Sequence, residues 1–128
     1  MAYNITRKMS GDFDSVVARV KEALKSEGFG VLTEIDVAAT LKTKIGKDFR
    51  PYRILGACNP HYAFEALSLE PHIGVMLPCN VIVQRFDHGE VEVSSIDPAT
   101  TMQSVGNPGL EGVAAKVRDA LSRAIENV

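Results

Sequence analysis

The segment from Leu110 to Ile125 constrains this chain most. Leu110, Val113, Ala114, Val117, Ala120, Leu121, Ala124 and Ile125 recur at three- and four-residue intervals, with Lys116, Arg118, Asp119 and Arg123 between them. That period predicts a helix with one apolar and one charged face. Such a helix is stable in water only when a second apolar surface covers it. The stretch before it can supply that surface. Val81–Phe86 and Glu90–Ile96 are rich in β-branched residues, and Asp87-His88-Gly89 joins them as a short hairpin connection.

The same reading extends to the N-terminus. Tyr3, Ile5 and Arg7 alternate with polar neighbours over residues 2–9 and predict a first strand. Ser10 or Asp12 can cap a helix carrying Phe13, Val16, Val17, Val20 and Leu24 on one face, stopped by Gly28. Phe29–Ile35 reads as a second strand. Asp36 then caps a short helix marked by Val37, Leu41 and Ile45 and ended by Gly46. Pro51–Cys58 reads as a third strand. Asn59-Pro60 opens the next helix, because asparagine offers an acceptor to unpaired N–H groups and proline suits the first helical position. Asp97-Pro98 repeats that device, and Asn107-Pro108-Gly109 is a turn.

The predicted order is β-α-β-α-β-α-β-β-α. It implies an α+β fold: one mostly antiparallel sheet with helices packed on one face. There is no linker, repeat or low-complexity segment, so residues 1–128 are expected to form a single domain. A chain of 128 residues can bury one real core.

Function classes are narrowed by charge and cysteine use. The net charge is −2, and the densest basic run, Lys42, Lys44, Lys47 and Arg50, is diluted by Asp48. Neither favours nucleic acid as a partner. No apolar run nears the ~20 residues needed to span a bilayer, and the N-terminus lacks the order of a signal peptide. A cytoplasmic location is expected, with Cys58 and Cys79 as free thiols.

Several segments together resemble a known family. These are Gly28–Val37, Lys44-Ile45-Gly46, Pro51–Pro60, Gly74, Leu77–Val81 and Ile96-Asp97-Pro98. In this order and spacing they are similar to the bacterial and archaeal "domain of unknown function 302" family over residues 5 to 125. The resemblance implies a fold like that of the TATA-box-binding protein, without implying DNA binding. It implies no activity and no catalytic residue.

The residues themselves suggest where polar chemistry gathers. Cys58 ends a strand just before Asn59, at the positive end of a predicted helix, which favours the thiolate. Cys79 opens another strand after Pro78 and is followed by Asn80, so each cysteine has an asparagine after it and a proline close by. Three readings stand: a shared thiol site, two small buried residues, or a metal site in which His61, three residues after Cys58, joins it on one helical turn. Asp36, Lys42 and Lys44 form a second cluster, readable as a polar site or as an N-cap beside a solvated face. His61, His72 and His88 are scattered, and no metal-ligand spacing is present. Gly28-Phe29-Gly30 ends a helix instead of opening one, so it is no dinucleotide fingerprint. No serine has the context of a hydrolase elbow.

The expected function is a small-molecule-binding or regulatory module with a cleft near the cysteines. Candidate ligand-binding residues are Cys58, Asn59, Cys79, Asn80, Asp36 and Lys44. The chain is expected to be a homodimer, using the apolar Ile73–Leu77 segment or the sheet edges, with no metal or cofactor. Alternatives are a thiol-dependent enzyme using Cys58 or Cys79, and a purely structural protein.

Overall fold

Helix starts in this chain are set by side chains that satisfy unpaired backbone donors. The computed structural model describes residues 2–128. Asp12 accepts from Ser15 N at the start of α1 (Phe13–Ser26), and Asp36 accepts from Ala39 N at the start of α2 (Val37–Ile45). Asn59 accepts from His61 N and Tyr62 N at the start of α3 (Pro60–Leu69). Asp97 does the same for the single turn α4 (Pro98–Thr101). The last helix, α5 (Glu111–Glu126), instead continues out of a 3-10 turn at Pro108–Leu110.

Five strands form one antiparallel sheet: β1 (Asn4–Met9), β2 (Gly30–Asp36), β3 (Tyr52–Cys58), β4 (Cys79–Arg85) and β5 (Val91–Ile96). Their spatial order is β1-β5-β4-β3-β2. The first two strands are therefore opposite edges, and α1 carries the chain between them. The α+β class and the single antiparallel sheet read from the sequence are those observed. The structure adds α4 and two short 3-10 turns, at Met102–Val105 and Pro108–Leu110, between β5 and α5.

Alternation along the strands directs one apolar face toward the helices. Leu55, Ala57, Cys79, Val81, Val83, Val91 and Val93 are buried there against Val16, Val17, Val20 and Leu24 of α1 and Val113, Val117, Leu121 and Ile125 of α5. A fully buried Val or Leu contributes about 1.5–3 kcal/mol, so this layer is the main source of stability. The opposite face runs Thr6, Ser94, Ile82, Ile54 and Ile35 in one cross-strand row.

The apolar Ile73–Leu77 segment is a 3-10 turn over Ile73–Met76. It is divided in role: Ile73 is in the core, while Val75 is almost fully exposed. No helix among the described residues is long and apolar enough to cross a membrane.

Candidate functional site

Cys58 and Cys79 come together because β3 and β4 are in register. Ala57 stands opposite Cys79, so Cys58 is one residue from the position facing the second thiol. Cys58 is half-buried at the end of β3, and Cys79 is buried at the start of β4. Both line a cavity of about 30 Å³ where α3, α5 and the sheet end meet. Asn59, Tyr62, Pro78 and Met102 complete its wall beside the thiols. At that volume it holds one or two waters, far below the ~300–1,000 Å³ of a drug-sized site.

Burial pushes the Cys79 thiol up to about 11, and the neighbouring Cys58 adds to this. Cys79 is therefore protonated at neutral pH and is no nucleophile there. Asn59 is tied on both sides. Its Oδ1 accepts from the first turn of α3, and its Nδ2 donates to Glu27 O at the end of α1 at 3.5 Å.

The other residues singled out from the sequence lie elsewhere. Asn80 pairs with Gly56 and, one residue from Cys79, points to the opposite face of the sheet. Asp36 caps α2, and Lys44 lies in the last turn of that same helix; neither lines the thiol cavity. The three histidines remain apart: His61 in the first turn of α3, His72 beside Glu70, and His88 stacked on Phe86 in the hairpin. No group of three or more His, Cys, Asp or Glu among the described residues could hold a metal ion.

Two features escaped the sequence reading. Arg53 is the centre of an ion network on the helix-covered face. Its Nη1 donates to Glu34, and its Nη2 lies 3.7 Å from Asp14 and 4.0 Å from Asp36. Lys21 Nζ also donates to Glu34, at 2.7 Å. The Lys21 hydrogen bond first, and that from Arg53 second, hold the Glu34 carboxyl below the usual range. Only the tertiary structure assembles this set. The second feature is Gly56, where a Cβ would stand 2.7 Å from the Pro78 ring and press into Thr33. A glycine inside a β-rich run signals such a close approach.

A wider open groove of about 480 Å³ runs between α4 and the start of α5, lined by Met102, Gln103, Asn107, Pro108, Glu111 and Ala114. Its Asn107 is already engaged, donating to Leu69 O and Glu70 and accepting from Gly109 N. The thiol cavity is the better candidate, because it brings both thiols and Asn59 to one apolar space.

Comparisons with known proteins agree on one relationship. No curated protein matches the chain. Among solved structures, it is similar to an uncharacterized conserved protein of the DUF302 family from Bacillus stearothermophilus. The two share 30% identity and a TM-score of 0.92, over 99% of this chain and 98% of that one. The model of the family described as "Domain of unknown function DUF302" matches residues 5–128. The chain therefore belongs to the DUF302 family.

Proposed function

We propose that this chain is a cytoplasmic binding module that takes a compact, largely apolar group in the cavity between Cys58 and Cys79. The observation that carries the reading is the convergence of Cys58, Asn59 and Cys79 on one space whose remaining walls are almost entirely apolar. A space of this size, with room for only one or two waters and few polar partners to hold them, favours apolar groups of a few atoms. Both cysteines are free thiols in this reading, and they act as soft, polarisable wall atoms. Asn59 supplies the polar edge. Asp36, Lys44 and Asn80 take no part in this site.

A second reading, a thiol-dependent reaction, rests on Cys58 alone. It is half-buried and directly precedes Asn59, the cap of α3, so of the two thiols it is the one within reach of solvent. The raised pKa of Cys79 removes that residue from the role at neutral pH.

Xenon is a probe of the right size for the first reading. Ala57, Ala63 and Val113 also line the cavity; under xenon pressure their methyl resonances shift saturably, and Ala63→Leu, which fills the cavity, abolishes the shift. Unchanged methyl resonances in the parent chain overturn the binding reading. Native mass spectrometry of freshly purified protein then identifies what the cavity carries from the cell.

A further inference from the structure

The segment from β2 through α2 to the start of β3 is the least buried part of the molecule. None of the seven β2 residues is buried, and α2 buries none of its nine. Leu32 is 68% exposed and Ile45 63% exposed, and Ile35 and Phe49 are also exposed. A nine-residue helix is too short to hold itself together in water and normally depends on burying an apolar face. In a single copy α2 has little to bury it.

Two further observations favour a second copy of this chain as the covering partner. The first is area. The chain exposes 7264 Å², whereas a monomer of this mass exposes about 6,700 Å². The excess, a little under ~600 Å², lies at the low end of the roughly 600–1,000 Å² that each partner contributes to a standard interface.

The second is charge. Asp36 caps one end of α2, while Lys42 and Lys44 occupy its last turn. Lys42 is paired with Asp48 at 3.0 Å. Lys44 makes no ion pair among the described residues. Asp36 is half-exposed and only 4.0 Å from Arg53, so it retains charge to share. Two α2 helices running antiparallel across a two-fold axis set each copy's Asp36 against the other's Lys44. A surface with opposite charges at its two ends and apolar residues between them is self-complementary, as a two-fold interface requires.

We propose that the chain is a homodimer whose two-fold interface is built from β2, α2 and the loop to β3, with the α2 helices antiparallel. Leu32, Ile35, Ile45 and Phe49 form its apolar part. The proposal is independent of the thiol cavity. The competing surface is the other exposed apolar patch, Phe64, Leu67 and Val75 on α3 and the following turn.

Sedimentation equilibrium of the intact chain at micromolar concentration separates these outcomes. The parent chain is dimeric, and Leu32→Glu and Ile45→Glu each weaken association by roughly tenfold or more. Phe64→Glu and Val75→Glu leave the dimer intact. All four positions are exposed, so their thermal melts stay close to the parent's at equal association state. Thr40→Cys, near the middle of α2, forms an intermolecular Thr40-position disulfide on mild oxidation, identified by peptide mapping. A monomeric parent chain overturns the homodimer altogether. A dimer insensitive to Leu32→Glu and Ile45→Glu, or one broken by Phe64→Glu, overturns the assignment to this face.

Discussion

Thr33 fills the space that a side chain at Gly56 would need. The two residues are paired across the β2–β3 ladder just past a register shift, and the ring of Pro78, the residue that leads into β4, closes the same space. Three strands therefore depend on the missing Cβ at one position. Gly56→Ala overpacks the site and costs about 1–3 kcal/mol, read as a lower urea midpoint at unchanged m value. Thr33→Ala in the same chain recovers part of the loss, because Pro78 remains. A midpoint equal to the parent's would refute the close approach.

Cys58 is expected to be alkylated well before Cys79. The first is half-exposed at a helix start, and the second is buried with its thiol raised to about 11. Iodoacetamide labelling at pH 8, mapped by peptide mass, gives modification at Cys58 with Cys79 protected until denaturant is added. Equal labelling of the two in the native protein contradicts this.

The same burial makes the fold sensitive to alkali. In the unfolded chain the Cys79 thiol ionises near 9, and in the folded chain near 11. Between those values the native state holds more protons than the unfolded one, so stability falls as pH rises. It is fully present below pH 9 and lost as pH passes 11, an effect on the order of 2–3 kcal/mol. Cys79→Ala flattens this part of the stability profile, measured by urea unfolding at successive pH values. An unchanged slope in the variant would assign the alkaline loss to other groups.

Glu34 acts at the opposite end of the pH range. Its carboxyl is lowered by hydrogen bonds from Lys21 and then Arg53, so the stability it contributes is present above its unfolded value of 4.5 and lost as pH falls through the lower folded value. The pair is part-exposed, so solvent screening limits the effect to about 1 kcal/mol or less. Glu34→Gln reduces stability at pH 7 by that order and weakens the acid slope. A full acid slope in Glu34→Gln excludes the role.

Asn59→Ala removes the acceptor for two N–H groups of α3 and the tie to Glu27 O. The expected cost is about 1–2 kcal/mol. Asn59→Ser keeps the cap and loses less. Hydrogen exchange localises the change to the first turn of α3; protection that is unaltered there would show that the cap is dispensable.

Much of the fold is legible in the sequence because its signals are local. Asn59-Pro60 and Asp97-Pro98 announce helix starts, and Asp87-His88-Gly89 announces the hairpin. Each depends on backbone donors within four residues. The site is less legible because it depends on which face a residue takes. Asn59 and Asn80 follow their cysteines identically in sequence. Yet Asn59 leaves its strand and caps a helix beside the cavity, while Asn80 stays in a strand and turns away. Asp36 and Lys44 look like neighbours in sequence and become opposite ends of one helix. The Arg53 network joins residues from α1, β2 and β3, a juxtaposition no local pattern encodes.

The strand order has a kinetic consequence. β1 lies beside β5, so Asn4 must find Ile96 and Met9 must find Val91 before the sheet is complete. By connection length, β4–β5 is the easiest ladder to close and β2–β3 the next, so the β1–β5 pairing is expected last. Loop-closure entropy delays the long-range pairing. Substitutions in β1, such as Ile5→Ala, therefore accelerate unfolding more than they slow refolding. Until β1 docks, β5 is left as a bare edge, and the interval before that docking is when a nascent chain is most exposed to aggregation.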